Sequence, residues 1–248
     1  MTSYSEPADA AAVAAALTER VDAATARLLE SAARLSDDQV REPSLLPGWS
    51  RGHVLTHIAR NADSLRNLLV WARSGVETPQ YASRAARDEA IPAGAGRPAS
   101  ELLADLQASA RLLTVEAAGL SPANWTAEVR GLGGAAHPGW FTLRRRLSEV
   151  EIHHVDLGAG YRPADWPDLF AAELLKSVAG DFDDDEVQPA ALVSTSSGGA
   201  HRIGPASAPA ELTITGPDWL LLAWLVGRSA GDGLTVEPAG PLPALHAW

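Results

Sequence analysis

The chain has 248 residues and a formal net charge of −11, a balance that disfavours nucleic acid and anionic membranes, which bind basic surfaces. It contains no cysteine, so disulfides, cysteine nucleophiles and thiolate ligands are excluded, and a metal site would use imidazole and carboxylate. It shows neither a secretory signal nor a run of about 20 apolar residues, so we expect a cytoplasmic protein. An anionic substrate would need a local cationic site to overcome the acidic surface.

The first part of the chain is predicted to be helical. Apolar residues recur at helical spacing, which predicts an up-and-down bundle whose sites form between facing helices. Ser50 is a suitable N-cap for the second helix, and Gly75 is a suitable glycine after its end. The four predicted long helices span residues 7–35, 51–73, 100–118 and 138–157.

The segments between these helices are predicted to be less regular. Residues 76–97 form a long connection with one short helix at about 83–91, and connections of that length often serve as lids or site walls. Residues 123–137 are predicted to be extended or looped.

A change of composition at residues 158–167 predicts a linker, which divides the chain into domains at 1–160 and 161–248. Beyond it, the patterns alternate between helix and strand, with a turn-rich segment after the first strand, and indicate a small α+β domain. Helices are predicted at residues 168–178 and 218–228, and strands at 190–196, 211–215 and 234–237.

Three residues of the predicted bundle suggest a metal site. Glu149 and His153 are four residues apart, so they project from one face of the fourth helix. His57 lies on the second helix, and side-by-side packing of the two helices would bring together two nitrogens and one oxygen. Three protein ligands with an open position are typical of catalytic zinc. The more common outcome of such spacing is a solvated helix face with an Arg145–Glu149 ion pair.

The remaining histidines are harder to place. His53 precedes His57 by one turn and could be a fourth ligand, a partner of the ligands or a residue of the first helical turn, and spacing alone does not choose between His53 and His57. His154 points about 100° away from His153 and is predicted to face solvent or a loop. Three isolated histidines are interpreted as structural or surface residues: His137, His201 and His246.

Arg228 ends an almost uniformly apolar helix, just before a glycine-containing turn. The interpretation that the sequence alone favours is a cation at a helix C-terminus, where the helix dipole is favourable. The alternative is an anion clamp that reaches the metal site from the second domain, because a guanidinium makes paired hydrogen bonds with a carboxylate.

Three blocks of the sequence resemble a known family, the mycothiol-dependent maleylpyruvate isomerases of actinobacteria. They are SLLPGWSRGHVLTHIARNADSLRNLLVWARSGVETPQY at residues 44–81, SEVEIHHVDLGAGY at residues 148–161, and GRSAGDG at residues 227–233. The resemblance implies a DinB-like four-helix bundle followed by a small α+β domain similar to sterol carrier proteins.

The resemblance also implies an enzyme and its cofactors. In this family His57, Glu149 and His153 would bind Zn²⁺, water would complete the shell, and Arg228 would be a functional residue. Mycothiol would be the external thiol that this cysteine-free chain requires. The reaction would be cis–trans isomerisation of maleylpyruvate to fumarylpyruvate, in gentisate degradation, by reversible addition of a zinc-activated thiol. A monomer is expected, with the anionic substrate and mycothiol as its small-molecule partners.

Two alternatives remain open on the sequence. The same zinc site could serve another mycothiol-dependent S-transferase, which would consume the thiol by joining it to an electrophile. The protein could instead bind a metal or a small ligand without turnover.

Overall fold

The computed structural model describes residues 9–182, 187 and 189–246. Internal packing divides the chain into two compact units, Met1–Tyr161 and Arg162–Trp248. The first unit is helical with one small hairpin, and the second combines helices with a small sheet. Within the described residues, no helix is both long enough and apolar enough to cross a bilayer.

Four long helices form the frame of the first unit, and three shorter helices and a hairpin connect them. The long helices are α1 (Ala10–Ala32), α3 (Arg51–Ser74), α5 (Ala99–Ala118) and α7 (Gly139–Asp156). The connecting elements are α2 (Asp37–Arg41), α4 (Arg84–Ala95), α6 (Pro122–Thr126), and the antiparallel strands β1 (Glu128–Arg130) and β2 (Ala136–Pro138).

The apolar stripes of the long helices meet in one core. Helix α3 packs against α5 and α7, and α1 packs against the same two helices. Fully buried leucines supply this core, since each hides its side chain from water: Leu28, Leu55, Leu65, Leu69 and Leu106. The packing of α3 against α7 places the two predicted halves of the metal site on neighbouring helices.

Helix α3 begins and ends where its capping residues predict. The Ser50 side chain accepts a hydrogen bond from the backbone N–H of His53, and His53 Nδ1 accepts one in return from the Ser50 N–H, at 3.2 Å. Gly75 adopts a left-handed conformation with φ of 71°, and its N–H donates to the Trp71 carbonyl at 2.8 Å. These caps fix the register of α3 and hence the position of His57.

Helix α1 is shorter than predicted. It begins at Ala10, where the Asp9 side chain accepts a hydrogen bond from the Ala12 N–H at 2.9 Å, and it ends at Ala32. Pro7, the predicted first residue, lies outside the described residues.

The connections also contain more regular structure than predicted. Helix α4 continues through Pro92 to Ala95, because its end packs closely on the start of α3. Gly94 makes this approach possible, since a Cβ there would lie 2.6 Å from Thr56 Cγ2. Residues 123–137, predicted to be extended or looped, contain most of α6 together with the β1–β2 hairpin.

Among its described residues, the second unit contains a four-stranded sheet and two α-helices. The strand order is β4-β3-β5-β6; β3 and β5 are parallel, and the other pairs are antiparallel. Its elements are α8 (Asp168–Ala179), β3 (Ala191–Thr195), β4 (Ala200–Ile203), β5 (Leu212–Gly216), α9 (Asp218–Leu225) and β6 (Thr235–Glu237).

Two elements of this unit differ from the prediction. Strand β4 lies in the segment that was expected to be a turn, because its pairing with β3 stabilises four residues that carry no alternating pattern of their own. Helix α9 ends at Leu225, before Gly227, whose positive φ of 71° is incompatible with a continuing helix.

Candidate metal centre

Helices α3 and α7 bring His57, Glu149 and His153 into one cluster. His57 Nε2 lies 3.0 Å from Glu149 Oε2, and His153 Nε2 lies 3.4 Å from the same oxygen. The two imidazole rings are nearly perpendicular, with centroids 4.5 Å apart. One potential ligand atom from each residue lies within 4.8 Å of the other two. The three residues that the spacing singled out therefore converge.

Each ligand candidate is oriented by its surroundings. His57 is 4% exposed, and the Trp49 ring packs edge-on against it at 5.6 Å. The carboxylate of Asp156 lies 2.8 Å from His153 Nδ1, so that nitrogen donates to Asp156 and Nε2 is the ring atom that could bind a metal once its proton is lost. Asp156 is buried, and sequence reasoning missed it, although its position three residues after His153 on one helix is a usable signal.

The ionisation states follow from burial and these hydrogen bonds. Burial opposes ionisation of Glu149, but hydrogen bonds from His153 and His57 hold its pKa well below the usual value, so it is a carboxylate. Burial lowers the pKa of His57, which favours the neutral ring. Burial also disfavours the charged form of His153, but hydrogen bonds with Asp156 and Glu149 raise its pKa to about 8.

The donor set fits a small divalent cation. Ligand atoms at about 2.1 Å from a tetrahedral zinc ion are separated from one another by about 3.4 Å. The Glu149 oxygen lies 3.0 Å from His57 Nε2 and 3.4 Å from His153 Nε2, which is close to that spacing, and all three ligand atoms lie within 4.8 Å of one another. Two imidazoles and one carboxylate also suit zinc better than they suit calcium or magnesium.

The structure decides the roles that the sequence left open. His53 caps α3 through Ser50 and is not one of the cluster residues, so it is a residue of the first helical turn. Within the described residues, Glu149 pairs with the two histidines, and no ion pair joins it to Arg145.

The prediction for His154 was wrong. This residue is 1% exposed; its Nε2 lies 2.9 Å from Ser31 Oγ on α1, and its ring stacks on Tyr161. The face of α7 that carries His154 packs against α1 rather than facing water, which is why His154 is buried in the core.

The other histidines lie outside the cluster, as expected. His137 is buried in the β1–β2 hairpin, where its Nδ1 lies 3.1 Å from the Pro138 carbonyl. His201 lies on β4, and the His246 ring contacts Phe182.

Arg228 follows the end of α9 in the second unit. Its Nη1 donates to the Val226 carbonyl at 2.6 Å, and its backbone N–H donates to Ala223 at 2.7 Å. These contacts fit a cation at a helix C-terminus, and its action on a substrate stays a prediction.

A cavity of about 260 Å³ lies beside the cluster of His57, Glu149 and His153, and sequence reasoning missed most of the residues that surround it. The predicted long connection supplies several of them, in keeping with its interpretation as a site wall. The lining residues are His57, Asn61, Gln80, Tyr81, Arg84, Arg87, Leu132, Arg145 and Glu149.

Fold and site together define a protein of mainly helices with a small sheet, which has a candidate two-histidine, one-carboxylate metal centre beside an arginine-lined cavity. The family model described as the mycothiol maleylpyruvate isomerase N-terminal domain matches residues 6–158, more than half of the chain. The chain therefore belongs to this family, and the resemblance inferred from the sequence is confirmed.

Solved structures agree with the family assignment. The crystal structure of a mycothiol-dependent maleylpyruvate isomerase is similar over 94% of this chain and 97% of its own, with 27% identity and a TM-score of 0.85. A second structure, of that isomerase with a histidine replaced by alanine, has the same identity and coverage and a TM-score of 0.84. No curated protein matches the chain.

Proposed function

We propose that this protein is a mycothiol-dependent maleylpyruvate isomerase, converting maleylpyruvate to fumarylpyruvate. The observation that carries the proposal is the convergence of His57, Glu149 and His153 in a chain of this family. The likeness to a solved isomerase, which extends over both units, supports it. The place of the reaction in gentisate degradation and an actinobacterial source remain predictions from the resemblance, and a monomeric state remains a prediction.

The finer description of the fold belongs to the same proposal. We interpret the four long helices of the first unit as a DinB-like four-helix bundle, because each packs on two neighbours around one core. We interpret the second unit as a domain similar to sterol carrier proteins, on the basis of its small mixed sheet and two helices.

His57, Glu149 and His153 would hold a zinc ion in this enzyme. A bound zinc ion lowers the pKa of a coordinated thiol or water and stabilises negative charge that develops nearby. Glu149 is already ionised and the His57 ring is already neutral, as ligation requires, and the Nε2 proton that His57 donates to Glu149 would move to Nδ1 before a metal binds. His153 must give up its Nε2 proton to bind, and Asp156 then holds its Nδ1 proton.

The remaining residues would position the reactants. Rotation about a double bond requires that the bond become transiently single. Reversible addition of a thiol to the alkene carbon β to the ketone produces that single bond. The chain has no cysteine, so the thiol comes from outside and is returned after each turnover. Arg228 would orient a substrate carboxylate, which replaces a random encounter with a positioned one.

One assay tests the proposed function against its alternatives. Metal-loaded protein is mixed with mycothiol and maleylpyruvate, and both the thiol concentration and the NMR signals of the cis and trans alkene protons are followed. We expect the cis signals to be replaced by trans signals while the thiol concentration stays constant, and we expect exhaustive chelation to stop the reaction. Consumption of thiol would indicate an S-transferase, and no change in either signal would indicate a binding protein.

Asp156→Asn is expected to weaken zinc binding by about 10- to 100-fold, because the neutral amide no longer raises the basicity of His153 or fixes its ring as well. The measurement is competition with a chelator of known affinity. Asp38→Asn is the matched control, since the Asp38 side chain is 98% exposed and lies outside the site. Equal zinc affinity in both variants would contradict the role of Asp156.

A further inference from the structure

We propose that the cavity beside the metal cluster is a carboxylate subsite, and that it binds one end of a small unsaturated dicarboxylate. We call it the arginine cavity, after Arg84, Arg87 and Arg145. Arg84 and Arg87 come from α4 and Arg145 from α7, so two separate elements direct guanidinium groups to one space. The inference deepens the proposed function, because it assigns residues of the first unit to the substrate.

The charge of the arginine cavity is not balanced by the protein. Among the described residues, Arg84 and Arg145 form no ion pair, and Arg87 pairs with Asp88, whose side chain is 56% exposed. Glu149 is the one acidic residue among those that line the cavity, and its carboxylate already faces two histidines. A carboxylate guest would restore the balance, and planar guanidinium groups bind carboxylates through paired hydrogen bonds.

The side-chain amide of Asn61 lines the arginine cavity, and Arg146 holds it in one orientation. Arg146 is fully buried, and its Nη1 donates to Asn61 Oδ1 at 2.8 Å and to the Ile58 carbonyl at 2.8 Å. Because the oxygen of the Asn61 amide accepts from Arg146, its Nδ2 is the atom that can donate to a guest. Asn61 therefore adds a hydrogen-bond donor suited to an anion.

The wall itself is held in place. Gln80 is buried; its Nε2 donates to Ser64 Oγ at 3.2 Å, and its Oε1 accepts from the Leu132 N–H at 2.9 Å. This side chain ties the segment before α4 to the turn of the β1–β2 hairpin and to α3. The arginine cavity is thus a formed space rather than a gap between loose loops.

Size and position favour the substrate over the thiol cofactor. At about 260 Å³ the arginine cavity is smaller than the sites that hold drug-sized ligands, and it suits a molecule of a few carbons. Arg145 precedes Glu149 by one helical turn, so a carboxylate held there places the adjacent double bond towards the metal ligands. Mycothiol is a sugar amide with no ionised carboxylate, and three arginines offer it no matching charge.

The test uses the maleate dianion as the probe and the full metal-loaded chain as the protein. Calorimetry measures maleate affinity in the wild type, Arg145→Gln and Arg84→Gln, and maleamide serves as the neutral analogue. We expect each variant to bind maleate at least about tenfold more weakly, which is the effect of losing a charged hydrogen bond. Maleamide is expected to bind weakly to all forms, and zinc content is expected to stay unchanged.

Arg111→Gln is the matched control, because Arg111 is exposed on α5 and its replacement changes the net charge equally. Affinity for maleate that is equal in Arg111→Gln, Arg145→Gln and Arg84→Gln would overturn the inference. If Arg145→Gln does not fold, the maleate affinity of Arg84→Gln tests the inference alone. Arg84 is exposed at the start of α4, so its replacement is not expected to affect folding.

Steady-state kinetics separates this inference from the proposed function. If both hold, the arginine variants raise KM for maleylpyruvate and leave KM for mycothiol unchanged. Arginine-dependent maleate binding in a wild-type protein that does not isomerise maleylpyruvate would refute the proposed function and support the subsite. Full isomerase activity with unaltered KM in both arginine variants would support the proposed function and refute the carboxylate subsite.

Discussion

His57→Ala is expected to lose bound zinc and isomerase activity together. The variant keeps one imidazole and one carboxylate, both on α7, and two ligands from one helix do not enclose a cation as three from two helices do. We expect zinc affinity to fall by more than about 100-fold. The loss of a residue that only hydrogen-bonds a ligand lowers metal affinity by about 10- to 100-fold, and the loss of a ligand is expected to lower it further. Turnover is expected to fall in proportion to the metal content, measured by elemental analysis of the assayed sample.

The matched control for this prediction is His53→Ala, one turn earlier on the same helix. His53 caps α3 through Ser50, so its loss is expected to cost about 1 kcal/mol of stability while zinc and turnover are kept. Full activity in a metal-free His57→Ala protein would refute the metal-dependent mechanism. Loss of zinc in His53→Ala would show that His53 is a ligand after all.

Arg228→Ala is expected to keep its zinc and lose most of its turnover. A guanidinium that holds a substrate carboxylate contributes through a charged hydrogen bond, and its removal is expected to lower kcat/KM by about 100-fold. Zinc content is measured on the same sample, because all three proposed ligands lie in the first unit. Arg162→Ala is the control, since the Arg162 side chain is 75% exposed in the second unit.

The structure also supports a competing expectation for Arg228. Its guanidinium donates to the Val226 carbonyl beyond the last turn of α9, which is the arrangement of a helix-end cation. Were that its whole role, Arg228→Ala would change stability by about 1 kcal/mol and leave the rate unaltered. Thermal unfolding measured beside kcat/KM therefore decides between the two roles.

Local signals predicted the helices that carry the candidate metal site. Helix α3 begins after the Ser50 cap and ends before Gly75, as expected, and the spacing of Glu149 and His153 places both on one face of α7. These features depend on residues within a few positions of one another. That is why a helix and its caps can be inferred from the chain alone.

Contacts between distant segments decided the features that the sequence left open or hid. Arg84 and Arg87 reach the cavity because the end of α4 packs on α3 through Gly94, and no periodic pattern in that segment indicates such a contact. His154 is buried because α1 covers that face of α7. Strand β4 exists because β3 supplies its hydrogen bonds.

The amino-acid sequence by itself determined the chemistry available to this protein: imidazole and carboxylate ligands, no internal thiol, and one helical face that presents Glu149 and His153 together. Only the tertiary structure decided that His57 and not His53 joins them, and that three arginines meet beside the cluster. The physical reason is that helical periodicity is a short-range property, whereas the meeting of side chains from different helices depends on how their apolar faces pack.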